Sequence, residues 1–355
     1  MVNSIEDDKE LKHYFFNKQQ FPLVIEPEDE GQADFAYLSS YLKAKNPLFK
    51  NTLLEYGGIL FRGFKVDNLD KFAEIISSCS LGQAYKYELC AAKRTYLREG
   101  ITASLNINIP MHNEKSYAAD FPTHVYLNCL QAPQEGGETP LANGRKIWLS
   151  LPENLQNKLQ SKGILYRRHY YGLGIWYKFL RWICEDTAAL SWPSQFETNN
   201  PKRVEQITKE RQESFKWGFG NGLFTKIALP ACRMHPQKKE LVWFNYSNML
   251  NPHDNYLSSF FKSKVSNSLF RFILLNKYMH PYLASFGDGE PISKVEATFI
   301  KEAVAKNTIL FTWKEGDVLI LDNYVCLHGK NPHAGNRLVL VGLTNDPNMK
   351  ANQHA

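Results

Sequence analysis

From residue 101 onward the chain breaks into short apolar runs separated by Gly, Pro, Asn and Asp, and this pattern limits its possible folds more than any other feature. Residues 125–130 lead into a turn at 133–137. Further runs follow at 241–245, 308–313, 318–321 and 337–343, with Glu315-Gly316-Asp317 and the 329–335 segment separating the last three. Short β-rich runs bounded by turn residues read as strands, and a set of them must pack sheet on sheet to bury its apolar faces. The expected fold is mainly β with flanking helices, a sandwich or jelly roll. Ahead of it, residues 33–55 carry apolar positions at helical spacing (Phe35, Leu38, Tyr41, Leu42, Leu48, Leu53, Leu54) and end at Gly57-Gly58. Residues 1–57 therefore read as a helical N-terminal flank, 58–64 as a buried strand and 69–79 as an amphipathic helix. Residues 144–235 interrupt the strand pattern with a helix at 145–162 and a long aromatic-rich stretch. An insertion of that length in a β core suggests a lid. With no repeat and no linker, residues 1–355 read as one domain.

Several function classes fall away on composition. A hydrophobic content of 43% supplies a core, so the chain is not disordered. The net charge of +6 is scattered; pairs such as Lys238-Lys239 and Arg167-Arg168 are too short for a nucleic-acid surface. No apolar run approaches the roughly 20 residues that span a bilayer. The first residues lack the apolar stretch of a secretion signal. Six cysteines (79, 90, 129, 184, 232, 326) are dispersed without a CxxC pair, which fits reduced thiols and a cytoplasmic protein better than a disulfide frame. Asn245-Tyr246-Ser247 matches a glycosylation sequon by chance.

The chemistry concentrates at His112-Asn113-Glu114. On an extended segment, positions i and i+2 project to one face, so the imidazole and carboxylate can meet one ion. A second imidazole, His328, follows the run at 318–321. Two histidines and one carboxylate make the facial triad of non-haem Fe(II) oxygenases, which leaves coordination positions open. Among ten histidines an HxE triplet arises readily by chance. A zinc hydrolase with the same three ligands, or an inactive binding protein, stays open on spacing alone.

The segments His112-Asn113-Glu114-Lys115-Ser116-Tyr117 and Gly136-Gly137-Glu138-Thr139-Pro140 then occur in order. So do Ile59 to Phe64, His235-Pro236 with Val242 to Asn245, Phe286 to Gly289, Trp313 to Asp317, Leu321-Asp322-Asn323 and His328 to Arg337. This ordered set, from about residue 58 to 343, resembles the TauD/TfdA-like family of Fe(II)/2-oxoglutarate-dependent dioxygenases, closest to the syringomycin-type amino-acid hydroxylase branch. The resemblance implies a double-stranded β-helix, the metal ligands His112, Glu114 and His328, and use of Fe(II), 2-oxoglutarate and O2. It further implies that Arg337 and Thr139 bind the far carboxylate of 2-oxoglutarate; a guanidinium fork pairs bidentately where an ammonium cannot.

Substrate candidates are Asn108, four residues before His112; Lys115, next to the triad carboxylate; Arg168, at a family arginine; and Trp243 and Asn245, on a strand expected to line the cavity. Glu114 stands where halogenating relatives carry Ala or Gly, so hydroxylation is expected over halogenation. Leu343 occupies the position of a second arginine that grips sulfonates in some relatives, Lys330 replaces an arginine, and His333 replaces an aromatic. The implied reaction couples decarboxylation of 2-oxoglutarate to hydroxylation of an aliphatic C–H. Its substrate would be an amino acid or derivative, free or presented on a carrier protein, in secondary metabolism. Family members also desaturate, cyclise or catabolise small acids. The 144–235 insertion, with Tyr170, Tyr171, Trp176 and Trp182, is the expected cover for the iron.

Overall fold

The computed structural model describes residues 10–86, 96–103, 108–174, 177–178, 191–251, 253 and 282–350. Two sheets face each other at its centre. The larger runs in the order Leu11–Phe15, Leu23–Pro27, Gly58–Phe61, Val318–Asp322, His124–Gln131, Leu338–Asn345, Ile101–Ala103 and Tyr96–Arg98, with Gln83–Ala84 pairing on Leu338–Asn345. The smaller runs Thr308–Ile309, Leu141–Asn143, Cys326–Lys330, Ile109–His112.

Strand alternation explains why the sheets stack. In Val318–Asp322, Val318 and Ile320 pack with Tyr126 and Leu340 under the helices Phe35–Ala44, Asn46–Tyr56 and Leu69–Cys79. Leu319 and Leu321 turn the other way and join Val125, Leu127, Val339 and Val341 in a core shared with Leu141, Ile309 and Cys326 of the smaller sheet. The outer face of the smaller sheet, through Ala142 and Leu327, meets Trp148, Tyr166, Ile227 and Phe286. These belong to a third layer, which includes a sheet ordered Ser214–Trp217, Leu223–Leu229, Ile164–Tyr170, Tyr282–Phe286. The fold is thus mixed α/β with several sheets.

The strands expected at 125–130, 318–321 and 337–343 and the helix at 69–79 stand at His124–Gln131, Val318–Asp322, Leu338–Asn345 and Leu69–Cys79. The last is started by Asn68, whose side chain accepts from the Lys71 amide. Other expectations change. The single helical pattern at 33–55 is two helices, because Pro47 supplies no amide to a continuing helix and sits in the first turn of the second. Pro152 divides 145–162 in the same way, into Gly144–Ser150 and Glu153–Lys162. The N-terminal flank opens with two strands, and helices are not confined to the front, since Pro201–Glu210 and Lys294–Lys306 lie well inside the chain. Of the run at 308–313, only Thr308–Ile309 is strand.

The stretch at 144–235 expected as a lid is described only in part. Its described residues form the third layer behind the smaller sheet, with Tyr170 in a separate core beside Trp192 and Phe196. Trp176 and Trp182, like Cys90 and Cys184, lie outside the described residues. Cys79, Cys129, Cys232 and Cys326 are free and buried. Asn245 of the sequon is fully buried, and no described helix is long and apolar enough to cross a membrane.

One buried ion pair ties the Gly58–Phe61 strand to the turn before Val318. Arg62 donates through Nε to Asp317 Oδ1 at 3.0 Å and through Nη2 to Oδ2 at 2.7 Å, with a further bond to the Thr312 carbonyl. Both residues are nearly solvent-free. Removing one partner leaves a buried charge uncompensated, which costs about 3–5 kcal/mol. Asp317→Ala is therefore expected to lower the unfolding free energy by about that amount, read as a shift of the urea midpoint at unchanged slope.

Candidate metal centre

His112 ends the strand Ile109–His112 and His328 lies in the middle of Cys326–Lys330. These strands are antiparallel neighbours, and the register sets His112 directly opposite His328. Between His328 and Lys330 the register slips, so that Lys330 pairs with Ile109. Two steps on one strand are matched by three on the other, a β-bulge. It lets Ile109 and His112 both face the space between the sheets while Met111 points into the core behind. Pro110, in the bulge, has no amide to lose from the ladder. Gly329 makes the close approach possible: a Cβ there would lie 2.8 Å from the Ile109 carbonyl oxygen and 3.1 Å from Pro140.

Glu114 reaches the same point by another route than expected. The strand stops at His112 and Glu114 opens a turn, with Lys115 in the left-handed region at φ +55°, so the carboxylate is not placed by strand pleating. Asn323 holds the turn. Its Oδ1 accepts from the Glu114 amide at 2.7 Å, and its Nδ2 donates to the carbonyls of Glu114 at 2.9 Å and Pro122 at 2.7 Å. Asn113 answers, donating to the Asn323 carbonyl at 2.8 Å. Next to Asn323, Asp322 accepts from His235 Nε2 at 2.8 Å, while His235 Nδ1 accepts from the Lys238 amide at 3.0 Å. With Nδ1 accepting, Nε2 is the nitrogen that donates to the carboxylate. Burial pushes Asp322 up, but the His235 bond and neighbouring charges outweigh it and hold the carboxyl below its usual range.

The result is a compact donor set. One ligand atom each from His112, Glu114 and His328 lie within 4.8 Å of one another, and all three residues are buried. The imidazole centroids are 4.6 Å apart, and His328 Nε2 lies 3.9 Å from Glu114 Oε2. His112 Nδ1 donates to the Pro110 carbonyl at 2.8 Å, which leaves its Nε2 lone pair for a metal. Tyr246 meets the His112 ring edge-on at 5.5 Å, and Tyr117 packs against Tyr246 at 4.8 Å. Two nitrogens and one carboxylate oxygen on one side of a point fit a facially bound Fe(II).

The triad opens into a cavity between the sheets, lined also by Leu127, Thr139, Lys330, Arg337, Val339 and Val341. Arg337 donates through Nε to the Gly137 carbonyl at 3.0 Å and through Nη2 to Thr139 Oγ1 at 3.4 Å. Trp313 Nε1 donates to the same hydroxyl at 3.0 Å. Gly137, at φ +70°, leaves room for this: a Cβ would lie 2.7 Å from Pro133 and 3.1 Å from Arg337 Cδ. Burial lowers the Arg337 guanidinium from its ordinary value. Burial together with the Arg337 charge pushes the Lys330 ammonium down to about 8.

The structure therefore brings His112, Glu114, His328, Thr139 and Arg337 together in one cavity. The expected substrate residues do not line it. Asn108 is exposed just ahead of its strand. Lys115 donates to the Tyr85 hydroxyl, which donates to Asp120 at 2.7 Å. Arg168 is buried in an ion pair with Glu213 at 2.7 Å and donates to the Tyr117 carbonyl at 3.0 Å. Trp243 is core, and Asn245 spends its amide on the Ala231 carbonyl and the Ser247 amide. Trp243 and Leu241 of the strand at 241–243 meet the third layer, while Val242 packs with Phe121 and Tyr324. Conversely, Asn113, Asn323 and Tyr246 are not foreseen from sequence. The only signal for Asn323 was its place in the Leu321-Asp322-Asn323 segment.

Comparison with known proteins agrees with this geometry. The family model described as taurine catabolism dioxygenase TauD, TfdA family, matches residues 18–344. The chain belongs to this family. It is 28% identical to the dapdiamide synthesis protein DdaC of Enterobacter agglomerans over 309 residues, covering 85% of this chain and 87% of that protein. It is 24% identical to a clavaminate synthase-like protein of Arabidopsis thaliana over 350 residues, covering 94% and 95%. Two structures of PvcB share the fold at TM-scores of 0.54 and 0.50, with 12% and 13% identity, each covering 95% of this chain and 92% of PvcB. The first is from Pseudomonas aeruginosa; the second is described as an Fe, alpha-ketoglutarate dependent oxygenase from an isonitrile synthetic pathway. With the triad intact, this TauD-family chain is an Fe(II)/2-oxoglutarate-dependent dioxygenase. A zinc hydrolase and an inactive scaffold are thereby set aside.

Asn323→Ala removes the latch on Glu114 without touching a ligand. Loss of such a supporting bond typically costs about 10–100-fold in metal affinity. An anaerobic Fe(II) titration of the variant is expected to show that loss with an unchanged far-ultraviolet circular dichroism spectrum.

Proposed function

We propose that this dioxygenase hydroxylates an aliphatic C–H of an amino acid or amino-acid derivative, free or carrier-tethered, in a biosynthetic route. We place it nearest the syringomycin-type branch and read the two facing sheets as its double-stranded β-helix. The observation that carries hydroxylation is Glu114: a carboxylate fills the third ligand position, the one that halogenating relatives leave open. The name of DdaC, a dapdiamide synthesis protein, supports a biosynthetic setting.

Bound by the triad, the iron supplies, with 2-oxoglutarate and O2, the oxidising power that attacks the C–H bond. This chain's residues would do the positioning. The guanidinium of Arg337, steered by the Gly137 carbonyl, and the Thr139 hydroxyl are assigned to the far carboxylate of 2-oxoglutarate. Leu127, Val339 and Val341 give the co-substrate's methylene chain an apolar wall and exclude water. Of the expected substrate residues, Lys115 keeps a substrate role in this reading as the residue next to Glu114 in the chain, although its ammonium is held by the Tyr85 hydroxyl. Arg168, Trp243 and Asn245 serve the framework, and Asn108 lies on the rim. The third layer acts as a buttress behind the histidine strands.

Two experiments test the reading. Anaerobic Fe(II) plus 2-oxoglutarate is expected to give a weak visible metal-to-ligand absorption band, abolished in His328→Ala. In Arg337→Leu the band should need about tenfold to a hundredfold more 2-oxoglutarate. A screen of amino acids and their derivatives, scored by succinate release together with a product heavier by one oxygen, then identifies the substrate class. Coupled succinate release with substrates lacking an amino-acid unit, and with none that contain one, would sink the amino-acid assignment.

A further inference from the structure

We propose that Lys330 is a second cation on the far carboxylate of the co-substrate, making the cavity selective for 2-oxo diacids over 2-oxo monoacids. The proposal rests on the assignment of Arg337 and Thr139 above. Lys330 follows His328 by two positions on one strand, and side chains so spaced share a face; both line the cavity. The bulge opposite Gly329 and the pairing of Lys330 with Ile109 fix that direction. Lys330 is only 6% exposed, although a lysine stem normally carries its ammonium out to water. Arg337 lines the same cavity.

The cavity is electrostatically polar end to end. Among the described lining residues the one carboxylate, Glu114, is a metal ligand, and Lys330 and Arg337 are the cations; Arg337 sits with Thr139 away from the triad's own bonds. Once iron is counted, the lining carries a clear excess of positive charge. A 2-oxo diacid offsets more of it than a monoacid does, because only the diacid brings an anion to the far end. In a site of low dielectric the second cation adds to that difference. Arg337 alone would bind the carboxylate through its fork; Lys330 adds a point charge from the histidine strand.

The test is an anaerobic titration of the Fe(II)-loaded full chain with 2-oxoglutarate and, separately, with 2-oxopentanoate, which has the same chain length but no far carboxylate. The metal-to-ligand band is followed in wild type, Lys330→Met, Lys330→Arg and Arg337→Leu. Lys330→Met is expected to weaken 2-oxoglutarate binding about tenfold or more. It should leave 2-oxopentanoate within about threefold, while Lys330→Arg stays near wild type for both. Thermal stabilisation by Mn(II) alone, equal in all four proteins, reports an intact fold and metal site. Unchanged 2-oxoglutarate affinity in Lys330→Met, or equal losses for both oxo acids, overturns the proposal. If Arg337→Leu also binds 2-oxoglutarate normally, the co-substrate assignment itself fails; if only that variant weakens binding, the assignment stands and the role of Lys330 does not.

Discussion

The site depends on one register: His112 opposite His328 on neighbouring antiparallel strands of a buried sheet. Two residues more than two hundred positions apart are thereby held with ring centroids 4.6 Å apart, without any loop having to find the geometry. A slip of one residue would turn every side chain of a strand to the opposite face. The apolar alternation that locks the sheets face to face therefore also locks the metal ligands, and the stacked core and the donor set are one construction.

That register alone cannot deliver the third ligand. Glu114 leaves the sheet and is returned by Asn323, a residue on the turn between the strands Val318–Asp322 and Cys326–Lys330. Because His328 lies on the second of those strands, the same turn controls both the distal imidazole and the carboxylate. Asp322, His235 and Asn113 stiffen it from below. Tyr246 and Tyr117 press on the His112 side, with Arg168 stacked 5.1 Å from the Tyr117 ring. Arg168, expected at the substrate, instead neutralises Glu213 within the third layer. A buried guanidinium needs a carboxylate, and here its own fold supplies one.

The triad, Thr139 and Arg337 were legible because their local segments occur in order along the chain, and the structure gathers all five around one cavity. The central strands and the Leu69–Cys79 helix were legible from periodicity and capping residues. Pro47 and Pro152 show where periodicity misleads: an apolar stripe can continue across a break that hydrogen bonding cannot. Trp243 and Asn245 show a different limit. They follow a recognisable segment, but that segment's strand belongs to a hairpin behind the smaller sheet, and nothing local reports which side of a sheet a hairpin will occupy.

The ordered segments along the chain determined the reaction class through the family they match, because two imidazoles and one carboxylate by themselves suit a zinc site equally well. Tertiary structure decided how they meet. The bulge that aims Ile109 and His112 into one space, the Asn323 latch on Glu114 and the convergence of Lys330 with Arg337 all depend on contacts between distant segments. Such contacts arise only when the sheets pack, since only burial makes an unsatisfied amide or a stray charge costly enough to fix each side chain in place.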